Sequence, residues 1–162
     1  MYNKIYIIGP VGSGKTTLAK SLSEKYNIKE YELDKVVWDD ENGNIKRTDD
    51  EIDKLFNEII DKDSWIIEDV GRKKFINGIK KADVVYYINL PKIVIYKRCI
   101  TRWIKQKIGK EKYNYKPTLK SLIEMLKWAN QDIKNKNEKI KRIIDNSKEY
   151  KILKKKDIKK IK

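Results

Sequence analysis

Gly9-Pro10-Val11-Gly12-Ser13-Gly14-Lys15-Thr16 fits the pattern G-x-x-x-x-G-K-[ST] at every fixed position. Each residue type there has a physical reason. Gly9, Gly12 and Gly14 let the backbone curl until successive N–H groups point inward, a concavity that suits phosphate oxygens. A helix starting near Lys15 turns its positive end toward the same anion. Lys15 supplies a point charge to the β- and γ-phosphates, and the Thr16 hydroxyl suits Mg2+. The competing explanation is a glycine-rich turn that merely joins a strand to a helix. It requires chance to fill all the fixed positions and both flanks as well. Gly9, Pro10, Val11, Gly12, Ser13, Gly14, Lys15 and Thr16, with Thr17 next to them, are therefore expected to bind the phosphates of ATP.

Outward from the loop, strands and helices alternate. Lys4–Ile8 is a short apolar run closed by Gly9 and predicts a buried strand. Leu18, Leu22 and Tyr26 recur at four-residue steps and predict a helix from Lys15 to about Tyr26. Glu30–Leu33 predicts a second strand, ending in Asp34. Thr48 and Glu51 form a capping-box pattern ahead of the stripe Ile52, Leu55, Phe56, Ile59 and Ile60. Ser64–Val70 predicts a central strand, Lys73–Lys81 a short helix, and Val84–Leu90 another buried strand. Pro91 suits the first turn of a helix running to about Lys107. After a polar connection over Gly109–Pro117, one long helix is expected from Thr118, carrying Leu119, Leu122, Ile123, Leu126 and Ile133 and later Ile140, Ile143 and Ile144. Tyr150–Leu153 predicts a last strand before a lysine-rich tail. Strands spaced by helices imply a mostly parallel sheet covered on both faces, with ligands at the carboxyl ends of its strands.

The chain has 162 residues, about one domain's worth, and a single domain over 1–162 is expected, with a small lid near 105–118. One Cys and no His exclude a disulfide framework and the usual zinc sites. No apolar run is long enough to span a bilayer and the N-terminus lacks signal-peptide character, so a cytoplasmic location without membrane contact is expected. The net charge of +15 is uneven: residues 91–162 carry 24 Lys/Arg against 7 Asp/Glu, and residues 1–90 carry 15 against 17. Such a field attracts polyanions, including nucleic acid, but it is equally a lysine-rich background that solvates helix faces.

Asp34, at the end of the second strand, is a candidate to hydrogen-bond an acceptor hydroxyl or to help hold the metal, the plainer alternative being an ordinary loop aspartate. Glu68 and Asp69 follow Trp65-Ile66-Ile67. A carboxylate there can anchor Mg2+, directly or through water, or accept a proton from an attacking hydroxyl. Glu68 is assigned that role beside Thr16, and Asp69 the structural one of capping the next turn. Arg98 and Arg102 lie four apart on one helix face, where two guanidinium groups could stabilise a moving phosphoryl group. Only five of the 39 basic residues are Arg, so a pair at helical spacing is unlike the lysine background. Arg72 is a candidate for substrate anions. Trp38 is a candidate for the acceptor side, although Trp38, Trp103 and Trp128 also read as core or helix-packing residues. Cys99 reads as a small apolar filler.

The phosphate loop, Tyr31-Glu32-Leu33-Asp34 with Trp38, Trp65-Ile66-Ile67-Glu68, and Pro91 followed by Arg98 and Arg102 together resemble the FlaR-like, or DNA topology modulation, family of adenylate-kinase-like P-loop proteins. Tyr113-Asn114-Tyr115-Lys116-Pro117 and Lys127-Trp128 look similar to that group too. The resemblance implies an α/β, three-layer P-loop NTPase fold of nucleoside/nucleotide-kinase type, with about five parallel strands flanked by helices. It also implies that Glu68 assists the acceptor or metal, that Asp34 faces the acceptor, and that Arg98 and Arg102 lie on the lid side. One departure is Asp69, where relatives tend to have Gly.

The expected function is an ATP- and Mg2+-dependent small-molecule kinase, with Lys15, Asp34, Glu68, Arg98 and Arg102 as catalytic candidates and an unidentified acceptor. The alternatives are a nucleotide-dependent DNA-binding protein, using the basic C-terminal half, and an ATPase without an acceptor.

Overall fold

A computed structural model describes residues 2–111 and 116–161. Five strands form one parallel sheet: β1 (Lys4–Ile8), β2 (Glu30–Glu32), β5 (Trp65–Asp69), β6 (Val84–Ile88) and β7 (Tyr150–Leu153), in the order β2-β5-β1-β6-β7. A two-stranded antiparallel ribbon, β3 (Trp38–Asp39) and β4 (Ile45–Lys46), stands apart from it. The helices are α1 (Lys15–Tyr26), α2 (Leu33–Val37), α3 (Asp49–Ile60), α4 (Ile76–Lys81, after a 3-10 turn at Lys73–Phe75), α5 (Lys92–Lys107), α6 (Leu119–Lys134), α7 (Lys136–Asn146) and α8 (Lys155–Ile161). Among the described residues no helix is long and apolar enough to cross a membrane.

β1 lies at the centre, parallel to β5 on one side and β6 on the other. A strand so placed is buried on both faces, which is why it reads as a continuous apolar run. Its side chains alternate between two cores. Ile5 and Ile7 pack with Leu18 and Leu22 of α1, Ile95 and Cys99 of α5, and Met125 and Ala129 of α6. Tyr6 and Ile8 pack with Ile52, Phe56 and Ile60 of α3, Ile79 of α4 and Ile143 of α7. Each fully buried isoleucine contributes on the order of 1.5–3 kcal/mol. On the second face α4 comes unusually close to the sheet. A Cβ at Gly78 would lie 2.6 Å from a ring carbon of Tyr6 and 3.0 Å from Phe56.

The capping box forms as the sequence implies: the Glu51 amide donates to the Thr48 hydroxyl and the Thr48 amide to the Glu51 carboxylate. Four expectations need correction. The second strand stops at Glu32, because Leu33, Val36 and Val37 are buried at i, i+3 and i+4 and make a short helix. Asp34 therefore sits in the first turn of α2 and not on a strand end. Pro91 caps α5 with extended backbone (ψ 142°) and is not part of its first turn. The expected long helix after Thr118 is two helices meeting at Asn135, which ends α6 and precedes α7. Met125 and Ala129 of α6 belong to one core and Ile143 of α7 to the other, so the break carries the chain from one face of the sheet to the opposite one. Finally, Trp38 and Trp128 are exposed, not core, while Trp103 is half-buried with its indole N–H donating to the Thr118 carbonyl at 2.9 Å.

Candidate active site

The strand order places the carboxyl ends of β1 and β5 side by side, with Ile7 opposite Glu68 and Ile8 opposite Asp69. The Gly9 amide continues the ladder, donating to the Asp69 carbonyl at 3.4 Å. The chain then turns through Gly12 (φ +76°) and Gly14 (φ +92°), a left-handed region that side chains with a Cβ rarely adopt. Contact as well as conformation requires glycine at position 12, since a Cβ there would lie 2.7 Å from Cys99 Sγ. Cys99 is thus the small filler beneath the loop. Gly14 caps α1 without a side-chain partner, which leaves the helix N-terminus facing the loop.

Inside this bend the side chains converge. The Thr16 hydroxyl donates to Glu68 Oε1 at 2.8 Å. Lys15 Nζ donates to the Pro10 carbonyl at 3.2 Å and lies 4.0 Å from Glu68 Oε2. Glu68 is only 5% exposed, and burial raises its carboxyl above the ordinary range while Lys15 and Thr16 draw it back. Two buried oxygens here, Ser13 Oγ and Glu68 Oε2, have no hydrogen-bond partner. Buried polar atoms are mostly hydrogen-bonded, to protein, water or an ion, so both oxygens are free to meet one. An oxygen-only pair next to a phosphate cradle fits Mg2+, which keeps several waters and binds through one or two protein oxygens plus phosphates.

Arg98 reaches the loop from α5, donating to the Ser13 carbonyl at 2.6 Å. Arg102, one turn further, pairs with Glu111 at 3.2 Å, their side chains 52% and 39% exposed. The structure therefore brings Lys15, Thr16, Glu68 and Arg98 together and leaves Arg102 beside the 105–118 segment. Of that segment, residues 112–115, including Tyr113, Asn114 and Tyr115, lie outside the described residues. Thr17 is exposed on α1.

A second constellation lies beyond Glu68. The Asp69 side chain is fully buried, and its Oδ2 accepts from the Gly71 and Arg72 amides at 2.7 and 2.6 Å. Its other oxygen pairs with the Arg72 guanidinium, whose far nitrogen pairs with Asp34. Asp69 thus ties down the loop after β5, while the 3-10 turn at Lys73–Phe75, which it was expected to cap, has no side-chain cap. The same loop is held from behind by α7: Lys139 Nζ donates to the Val70 carbonyl and to Asp132, each at 2.6 Å, and Arg142 donates to the Gly71 carbonyl at 3.0 Å. Nothing in the sequence distinguishes Lys139 from the solvated lysines around it, whereas Arg142 is one of only five arginines. Trp38 follows α2, 38% exposed, its carbonyl accepting from Arg47. Two shallow surface cavities of about 310 and 220 Å³ are lined chiefly by α6 and by no phosphate-loop residue. The candidate site is an open rim defined by backbone and charge, not a closed pocket.

A family model described as an AAA domain matches residues 5–116. The shikimate kinase of Sulfurihydrogenibium sp. (strain YO3AOP1) is 45% identical over 42 residues, and the match spans a quarter of each chain (26% of this one, 25% of that one). Among solved structures, the shikimate kinase from Bacteroides thetaiotaomicron superposes with a TM-score of 0.63 at 14% identity, over 99% of this chain and 94% of that one. The shikimate kinase from Acinetobacter baumannii in complex with shikimate gives 0.60 at 13% identity, over 97% and 87%. At such identities these likenesses establish the fold, a five-stranded parallel sheet flanked by helices. They lend no support to DNA binding or to the narrower FlaR-like resemblance.

Proposed function

The chain belongs to the AAA domain family over residues 5–116, and on that premise we propose that it is an ATP- and Mg2+-dependent small-molecule kinase. The observation that carries this reading is the convergence of Lys15, Thr16 and the buried, half-unpartnered Glu68 inside a glycine-shaped bend at the sheet's carboxyl end. The name shared by the relatives, shikimate kinase, points the same way: transfer of a phosphoryl group to a small hydroxyl compound.

The loop amides from Pro10 to Thr16, Pro10 itself lacking an N–H, and the Lys15 ammonium hold the triphosphate, with Ser13 Oγ available to it. Thr16 and Glu68 would hold Mg2+, and a cation there would supply charge neutralisation for the triphosphate. Asp34 or Glu68 orients the acceptor and takes its proton as the hydroxyl oxygen attacks the γ-phosphorus. The bond to the β-phosphate oxygen breaks and ADP leaves. Arg98 fixes the loop through the Ser13 carbonyl and lies where its charge favours the transferring group. Arg102 would join it when the 105–118 segment closes and excludes water.

The test is ADP formation with purified protein over a panel of small hydroxyl compounds. Lys15→Ala is expected to reduce acceptor-dependent turnover by about 10²–10³-fold. A variant with the wild-type rate would remove the assignment.

A further inference from the structure

The acceptor side of the site has an electrostatic character of its own. Asp34, Glu32 and Glu68 lie close enough for each of the first two to raise the Glu68 carboxyl. The cation facing them from the β5 loop is Arg72, and its guanidinium is engaged at both ends, by fully buried Asp69 and by Asp34, whose side chain is 62% exposed. Lys35 is paired with Glu32 at 3.2 Å. Lys139 and Arg142, behind the loop, are occupied by backbone carbonyls and by Asp132 and Glu138. Arg72, Lys35, Lys139 and Arg142 thus each have protein partners. The rim's own sum, over Glu32, Lys35, Asp34, Asp69 and Arg72, is one negative charge.

Resting on the kinase reading above, we propose that Arg72 is a positioning residue that clamps Asp34 for the acceptor hydroxyl, and that the acceptor is a neutral or cationic alcohol, not a carboxylate or phosphate monoester. An anion entering here would meet carboxylates that are already paired and a guanidinium engaged at both ends. Its desolvation would go uncompensated. A neutral hydroxyl needs one acceptor oxygen, and Asp34, exposed on its outer side and held on its inner side by Arg72, presents one. The anchoring explains why the clamp is rigid. Asp69 fixes the Arg72 amide as well as its guanidinium, and Gly71 (φ +91°) packs against Lys139, leaving 3.2 Å between a would-be Cβ and that side chain.

Two measurements test this. In the first, ADP formation is followed with matched acceptors differing in one charge: a nucleoside and its 5′-monophosphate, a polyol and the corresponding sugar acid, shikimate and its methyl ester. The uncharged member of a reacting pair is expected to have the higher kcat/KM, by about tenfold or more. A higher value for the anion overturns the proposal. The second needs no turnover. With Mg2+ and a non-hydrolysable ATP analogue filling the loop, the Arg72 Nε–H NMR signal is followed during titration with inorganic phosphate. It is expected to stay in place in the wild type and to shift saturably in Asp34→Ala, where the guanidinium nitrogen that pairs with Asp34 loses its acceptor. Saturable movement in the wild type, or silence in Asp34→Ala, overturns the clamp. Failure of the kinase reading shows separately, as a protein that binds no ATP analogue.

Discussion

Burial raises the Glu68 carboxyl, and Lys15 and the Thr16 hydroxyl only partly counter it. A carboxyl raised in the folded state favours its protonated form. Its contribution to stability is therefore present below the unfolded carboxyl range and is lost as pH rises through the folded value. At neutral pH the ionised group weakens the fold. Glu68→Gln is expected to unfold at higher denaturant than the wild type at neutral pH, with the gap narrowing toward acid pH. The same variant is expected to lose phosphoryl transfer by about a hundredfold or more. Denaturant titrations across pH, paired with ADP assays, check both halves. Asp69, one residue on, differs in kind: its carboxylate is consumed by two amides and a guanidinium. Adjacent acidic residues in the sequence thus serve opposite ends. Side chains alternate along a strand, which turns Glu68 toward Thr16 and Lys15 and Asp69 toward Arg72.

Elements are held to the sheet by contacts with little slack. Ala at Gly78 would favour α4 by its helix propensity, yet its methyl would press on the buried rings of Tyr6 and Phe56. Gly78→Ala is expected to destabilise by about 1–3 kcal/mol, read from the denaturant midpoint at unchanged slope. α7 depends on a buried cation. Lys139→Met leaves the Val70 carbonyl and Asp132 without their donor. It is expected to cost about 3 kcal/mol and to speed amide hydrogen exchange at Gly71 and Arg72 above that elsewhere in the sheet. The helix stripes and the capping box were legible because each is a local pattern. The break at Asn135 was not: the apolar spacing of 119–144 is helical throughout, and only the switch from one core to the other requires a bend. Asp34 was misplaced by one element for a similar reason. Tyr31-Glu32-Leu33 alternates like a strand until the burial of Val36 and Val37 pulls Leu33 into a helix.

For the whole molecule, fold class was legible and the docking of charge was not. Alternating apolar runs and amphipathic stripes specify a covered parallel sheet, and the solved relatives share it. Which lysines are buried, and which arginines turn inward, depends on neighbours distant in sequence. The excess of positive charge over 91–162 remains largely outside the site. Self-repulsion across that half is expected to make thermal unfolding rise by a few degrees (~2–5 °C) between low salt and about 0.15 M, as screening shortens to roughly 8 Å. A midpoint that falls with salt would show that ion pairs outweigh the repulsion.

The account turns on a loop that grips phosphates and not a base or sugar. Calorimetric titration with Mg·ATP, repeated in the presence of excess adenosine and with Lys15→Ala, reads this directly. Saturable binding that adenosine barely displaces and that Lys15→Ala weakens by about a hundredfold is the expected result. Equal binding by the variant, or full competition by adenosine, would contradict it.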